Sequence, residues 1–168
     1  ALAQLDDEVI AGTAAGEVLR FDAQGRQRWR QRCAFRPERT FWPWWFLETP
    51  MVGSLAAGRD PHSGREIVAA GTGSTSVNFI DGETGALQAD RLSEYGLPDQ
   101  IKAHLDPQKE RVFFFVGHSW LSCGSTVCAW AADELDQPKR RYCESVDPMG
   151  RLTGGWDTCA ARDFWLGR

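Results

Sequence analysis

Short apolar runs that end at glycine, each followed by a second run of β-branched or aromatic residues, dominate the hydrophobic pattern of this chain. The clearest example starts with an apolar run from Ile67 to Thr72, continues from Val77 to Asp81 and finishes in a turn at Gly85. Runs of this length and composition predict two strands with a tight connection. Asp and Gly supply the backbone angles of the reversal, so a third strand is expected from residue 86.

The same pattern occurs 59 residues earlier in the chain, where a strand, a turn, a second strand and an Asp-containing turn follow one another. A third, looser copy begins at Val112 and has four extra residues between its two strands. Repeated units made of strands predict a propeller or array rather than a sandwich. Three pairs of residues are aligned by the first two copies: Gly12 with Gly71, Val18 with Val77, and Asp22 with Asp81.

We therefore predict an all-β chain of about three to three and a half four-stranded antiparallel propeller blades in a single segment over 1–168. Eight Trp and 17 Gly residues support this, because tryptophan fills the space between sheets and glycine disfavours helices. The segment from Arg91 to Gln100, which holds Leu97-Pro98, is interpreted as a connection before the third repeat. The repeats lie near 9–31, 51–91 and 101–146, and 147–168 receives no assignment.

So few blades cannot close a ring, and an open stack leaves an apolar sheet face at each end. The expected partners are therefore other protein chains or the remainder of a larger propeller. A larger parent chain, a second subunit or a homo-oligomer would each cover these faces. The chain begins at Ala1 rather than Met, which predicts either a processed mature chain or a piece of something longer.

Charge and hydropathy remove two classes of partner. The 19 basic and 23 acidic residues give a net charge of −4, so the chain lacks the basic surface that nucleic acid requires. No apolar run approaches the roughly 20 residues that cross a bilayer. We predict neither nucleic-acid binding nor a membrane-spanning segment.

The order strand, Gly-Thr, turn, Val-x-x-Phe/Ile-Asp, turn, Gly, followed in the first copy by Trp29, resembles the PQQ-like repeat of quinoprotein-type β-propellers. The stretch 101–119 resembles it as well, and the resemblance covers about 120 of the 168 residues. It implies propeller blades, and says less of activity because other propeller families share these mechanics. The second copy has Ala89 in the region of the repeat tryptophan, and the chain lacks the adjacent Cys-Cys pair of the dehydrogenases. No cofactor is therefore predicted.

Motifs for catalysis are missing from the sequence: there is no G-x-S-x-G elbow, no H-E-x-x-H and no P-loop, and only three histidines occur. We therefore predict a non-catalytic interaction or scaffold module that binds other protein subunits. The alternative is part of a quinoprotein dehydrogenase or carbohydrate-active enzyme whose catalytic residues lie elsewhere.

An aromatic cluster between the first two repeats is the candidate binding segment. Five aromatics surround a proline in 41–46, and alternate side chains of an extended chain point to opposite faces. Some of Trp42, Trp44 and Trp45 would then face outward and stack on a sugar, a quinone ring or a partner's surface. The alternative is that these side chains plug the interface between blades or cover an exposed end.

The five cysteines suggest one disulfide and no metal site. Cys123 lies in the insertion of the third repeat and Cys128 on the returning strand, so a disulfide between them would staple the hairpin. Free buried thiols are the alternative. A disulfide favours an extracytoplasmic or organellar compartment.

Metal binding is not predicted. Zinc would have to use His118, Cys123 and Cys128 without a second compact pair of ligands. Calcium at 60–66 would have only Asp60 and Glu66 as carboxylates, so a plain turn is the better interpretation there.

Overall fold

The computed structural model describes residues 1–34, 50–73, 76–92, 97–120, 124–135, 142–146 and 152–156. These residues form thirteen strands and a single 3₁₀ turn, Ala132–Glu134, and none of them is in an α-helix. The all-β prediction is confirmed. No helix of the described part is long and apolar enough to span a bilayer.

The strands form three antiparallel sheets, each built from consecutive strands, which we call blades 1, 2 and 3. Blade 1 contains β1 (Leu2–Leu5), β2 (Glu8–Gly12), β3 (Glu17–Phe21) and β4 (Gln27–Arg32). Blade 2 contains β5 (Val52–Arg59), β6 (Glu66–Thr72), β7 (Ser76–Asp81) and β8 (Leu87–Leu92). Blade 3 contains β9 (Leu97–Asp106), β10 (Arg111–Trp120), β11 (Gly124–Ala131), β12 (Tyr142–Val146) and β13 (Leu152–Trp156).

The strand register confirms the predicted alignment of the repeats. Gly12 lies opposite Val18 in blade 1, and Gly71 lies opposite Val77 in blade 2. The third copy keeps the same pair, because Gly117 lies opposite Val127. A slip of one residue would have placed the valines on opposite faces of their sheets, so the three blades are built on one register.

Two parts of blade 3 differ from the expectation. The Leu97-Pro98 run, interpreted as a connection, is the start of β9, and a register shift at Gly117 and His118 accommodates it. Proline is tolerated there because β9 is the edge strand of its sheet, where one face of the backbone needs no ladder partner. Residues 152–156, in the stretch left without an assignment, form the fifth strand, β13.

The blades stack face to face, with the innermost strand β5 of blade 2 beside β1 and β9 of its neighbours. We call the side of a blade that faces the next blade in chain order its forward face, and the opposite side its rear face. The forward face of blade 2 packs on blade 3 through Phe79, whose ring contacts Phe114 at 5.6 Å and Trp130 at 6.0 Å, edge to face in both cases. Its rear face packs on blade 1 through Val68, Ala70 and Ile80.

The turns between the two outer strands of blades 1 and 2 are closed by aspartate, as predicted. The Asp22 carboxylate accepts from the backbone N–H groups of Gln24 and Arg26, at 3.0 and 2.9 Å. In blade 2 the Asp81 carboxylate accepts from Thr84, whose N–H lies 2.9 Å away. The glycine that ends each turn, Gly25 or Gly85, has φ +77 and donates its N–H to the aspartate carbonyl. The two turns therefore share the aspartate acceptor and the final glycine, although the blade 1 turn is one residue shorter.

The aligned glycines Gly12 and Gly71 lie where neighbouring blades approach closely. A Cβ at Gly12 would come within 2.4 Å of Val52 Cγ1 in blade 2, and one at Gly71 within 2.8 Å of Pro98 Cγ in blade 3. We expect Gly12→Ala and Gly71→Ala each to lower the free energy of unfolding by about 1–3 kcal/mol in urea denaturation, because overpacking shifts the blades apart.

The matched control for these two variants is Gly53→Ala. An added Cβ at Gly53 meets nothing within 4 Å among the described residues. The free energy of unfolding of this variant should lie within about 0.5 kcal/mol of that of the unmodified chain. Equal losses at all three positions would show that the backbone conformation, and not the approach of the blades, requires glycine.

Candidate functional site

The sequence-predicted binding residues Trp42, Trp44 and Trp45 lie outside the residues that the structure describes, as does Cys123. The backbone of Cys128 lies on β11, directly opposite Cys143 on β12. The Cys123–Cys128 disulfide therefore stays a prediction. Among the described residues no cluster of His, Cys, Asp or Glu has the geometry of a metal site. Asp60 instead closes a plain turn, in which it accepts from Ser63 Oγ at 2.7 Å.

At the junction between blades 1 and 2, an indole side chain of blade 1 packs on a turn of blade 2. Trp29 on β4 lays its indole against the turn of blade 2, where a Cβ added to Gly85 would lie 2.9 Å from the ring. The indole Nε1–H also donates to the carbonyl of Gly82 at 2.6 Å. Glycine at position 85 thus leaves room for the aromatic ring, and the hydrogen bond to the Gly82 carbonyl fixes the orientation of the ring.

A buried guanidinium locks the same junction. Arg20 on β3 is buried and donates to the carboxylates of Glu8 in its own blade and Glu66 in blade 2. It also donates to the Gly82 carbonyl at 2.5 Å. Burial by itself would lower the pKa of Arg20, but the hydrogen bonds and charges of Glu66 and Glu8 outweigh it and raise the pKa. A cation in this position is therefore well compensated.

Glu66 is held ionised by the same network. Burial would raise the pKa of its carboxyl group, but hydrogen bonds from Arg20 and Arg59 outweigh burial and hold the pKa below its usual range. Arg59 also bonds Asp6 of blade 1 at 2.5 Å. Ion pairs between the two blades thus add to the apolar contacts at this junction.

Cys33 is a buried thiol at the end of blade 1, and it is free. Burial raises its pKa to about 12, and the nearby charge of Asp90 adds to the effect. A thiol so far from ionisation at neutral pH is a poor nucleophile. We assign it a packing role.

The rear face of blade 1 has the same positions as the rear face of blade 2, but its apolar side chains are more exposed. Leu2 lies opposite Ala11 as Leu55 lies opposite Ala70, so these two leucines are equivalent. Leu55 is 8% exposed, whereas Leu2 is 75% exposed. The equivalent valines differ in the same way: Val68 is 0% exposed and Val9 is 44% exposed.

Further apolar residues lie on this face. By strand register it contains Leu2, Val9, Ala11, Leu19 and Phe21, which we call the open face, and Gln4, Glu17 and Arg30 lie on the same side of the sheet. Ala11, Leu19 and Phe21 are partly exposed, whereas Ala70 and Ile80, the blade 2 counterparts of Ala11 and Phe21, are fully buried. Contiguous apolar surface of this kind marks an interaction site on a soluble protein. The open face is the candidate functional site.

Solved structures share this architecture. The chain aligns with BamB from Moraxella catarrhalis, a PQQ-like β-propeller, with a TM-score of 0.57 and 17% identity, over 95% of this chain and 46% of BamB. The fold is that of β-propeller blades. BBS1N, solved in complex with ARL6DN, aligns with a TM-score of 0.52 and 10% identity, over 89% of this chain and 50% of that one.

The quinohemoprotein alcohol dehydrogenase ADHIIG from Pseudomonas putida HK5 aligns with a TM-score of 0.50 and 12% identity, over 92% of this chain and 34% of the enzyme. The chain therefore spans half or less of each of these three proteins. Identities this low show the fold alone. No protein-family model and no curated protein sequence matches the chain.

The repeats predicted that an incomplete stack exposes a sheet face, but not which residues lie on that face. The signal was present in the alignment of the repeats. Val9 and Val68 occupy the same repeat position, and of the two only Val68 is buried against another described blade.

Proposed function

We propose that the chain is a non-catalytic interaction module, a set of propeller blades that docks onto other polypeptide through the open face of blade 1. The observation that supports this proposal most strongly is the difference between equivalent positions. Leu2 and Val9 of blade 1 are exposed, whereas Leu55 and Val68, which occupy the equivalent positions of blade 2, are buried. Burial of such surface contributes roughly 25 cal/mol per Å².

The chemistry of the open face favours a protein partner over a polar ligand. Its five residues are all apolar, and they lie on three neighbouring strands of a single sheet. A flat apolar sheet face matches another sheet or an apolar protein surface, because side chains of two packed layers interdigitate. One ion pair borders these residues, between Glu17 on β3 and Arg30 on the outermost strand, β4, while Arg26 lies in the turn.

A charge-insertion variant tests this function. We expect Leu2→Lys combined with Val9→Lys to leave the isolated chain within about 0.5 kcal/mol of its unmodified stability, because both side chains are exposed there. In the native assembly the same pair should lower the free energy of unfolding by more than about 2 kcal/mol, since two lysines would be buried without partners. Urea denaturation of both preparations gives the comparison.

Leu87→Lys is the matched control, because Leu87 is 39% exposed on the outermost strand of blade 2, away from the open face. Leu87→Lys should leave the free energy of unfolding unchanged both in the isolated chain and in the native assembly. If the double variant leaves the native assembly as stable as the unmodified one, the open face is not a docking surface.

A further inference from the structure

The outermost strand of blade 1, β4, pairs with β3 on its inner side, and among the described strands none pairs with its outer side. Blade 3 shows that this edge of a blade can accept another strand. There the fourth strand, β12, pairs with β11 on its inner side and with β13 on its outer side, antiparallel in both cases. The described part of blade 1 therefore ends one strand earlier than blade 3.

The backbone groups that a further strand would use belong to Arg30 and Arg32. The N–H of the next residue, Cys33, donates to the Gly16 carbonyl just before β3, at 2.9 Å. Because successive residues of a strand direct their backbone groups to opposite edges, the N–H and carbonyl groups of Arg30 and Arg32 point away from β3. The Arg32 carbonyl accepts from the side chain of Gln31 at 2.8 Å, in an exposed hydrogen bond that a partner strand can replace.

The side chains of β4 make the same edge basic. Three exposed arginines, Arg28, Arg30 and Arg32, alternate along its six residues, and the strand contains no acidic residue. Arg28 and Arg30 are paired with Glu8 and Glu17 of the inner strands, whereas Arg32 forms no ion pair among the described residues. The outermost strand of blade 2, β8, has one acidic and one basic residue and therefore lacks such a stripe.

From these observations we infer that the outer edge of β4 binds an extended acidic segment of a partner polypeptide, which adds to blade 1 as a fifth strand. Backbone hydrogen bonds at Arg30 and Arg32 hold the segment, the mode by which extended peptides join open sheet edges. Carboxylates two residues apart in the segment lie beside these two arginines, on one side of the sheet. This surface is separate from the open face, because it is the edge of the sheet and is recognised through charge and backbone.

A second copy of β4 does not fit this edge. Because arginine recurs at every second residue from 28 to 32, two β4 strands paired side by side place arginine beside arginine. Like charges in opposite positions destabilise a sheet, and charge on an edge strand commonly prevents self-pairing. An acidic segment meets no such repulsion, and it brings a carboxylate to Arg32.

Binding of a synthetic peptide to the full chain tests the inference. The probe is a short blocked peptide in which glutamate alternates with valine and threonine, and the readout is amide hydrogen exchange followed by NMR. We expect saturating peptide to slow exchange at the Arg30 and Arg32 amides by about tenfold or more. The Cys33 N–H, already bonded to Gly16, should change little. A peptide with lysine in place of glutamate should protect neither arginine amide.

Two double variants separate recognition at the edge from general electrostatics. Arg30→Gln combined with Arg32→Gln should weaken binding of the glutamate peptide by about fivefold or more. The matched control, Arg65→Gln combined with Lys102→Gln, removes the same charge from exposed positions of blades 2 and 3 and should weaken it less than about twofold. Equal weakening by the two double variants overturns the inference, as does absence of protection at Arg30 and Arg32 up to the solubility limit of the peptide.

Pairing through the backbone has its own test in peptides that are N-methylated at alternate residues. Methylation in one phase blocks the edge that faces β4 and should abolish protection, whereas methylation in the other phase should leave it unchanged. Binding that survives both phases overturns addition as a strand. The proposed function is judged by the exposure of Leu2 and Val9 on the flat of the sheet, so a failure at Arg30 and Arg32 leaves it standing.

Discussion

Phe79→Ala is expected to lower the free energy of unfolding by about 4 kcal/mol, measured by urea denaturation of the isolated chain. Phe79 is fully buried at the junction of blades 2 and 3, where it makes edge-to-face contacts with Phe114 and Trp130. Removal of the ring forfeits its transfer from water and leaves a cavity between two sheets that cannot collapse onto each other.

Phe79→Leu is the conservative companion to this variant. It retains most of the apolar volume and should cost about 1.5 kcal/mol or less. If Phe79→Ala costs no more than Phe79→Leu, the two blades do not pack as the structure shows.

Arg20→Leu should cost about 3 kcal/mol, although leucine is the more apolar side chain. Arg20 occupies in blade 1 the position that Phe79 occupies in blade 2, as their shared register shows. Its loss removes one donor each from the carboxylates of Glu8 and Glu66 and from the Gly82 carbonyl, which keep Arg28, Arg59 and Trp29 respectively. Breaking a buried ion pair from one side is costly because the partner charges stay behind. The two carboxylates are partly exposed, so we place the cost at the lower end of the range.

Arg26→Leu is the control for charge alone. Arg26 pairs with Asp22, but its side chain is 77% exposed, and an exposed pair contributes about 0–1 kcal/mol. Combining Arg20→Leu with Glu8→Gln and Glu66→Gln should recover part of the loss. A triple variant that is less stable than Arg20→Leu would show that the carboxylates have other essential partners.

The sequence predicted the features of the fold that depend on local pattern. Gly12, Val18 and Asp22 could be aligned with Gly71, Val77 and Asp81 because each answers to a backbone requirement of its own strand or turn. The register common to the blades followed directly from that alignment.

The interblade contacts could not be predicted, because they join residues far apart in the chain. Arg20 and Glu66 are 46 residues apart, and Trp29 and Gly82 are 53 apart. Blade 2 has Phe79 at the position of Arg20, so from the sequence alone the arginine looks like a departure from the repeat. Its carboxylate partners Glu8 and Glu66 come beside it only in the folded chain. The Leu97-Pro98 prediction was wrong for a related reason, since only the sheet shows that β9 is an edge strand.

The most direct test of the account is side-chain oxidation in the native assembly. Oxidation of Val9 and Leu2 by hydroxyl radicals is compared with that of Val68 and Leu55, their equivalents in blade 2, and with that of Leu87 as an exposed reference. We expect Val9 and Leu2 to be as protected as Val68 and Leu55, while Leu87 reacts as it does in the isolated chain. Oxidation of Val9 and Leu2 at the rate of the isolated chain would contradict this expectation.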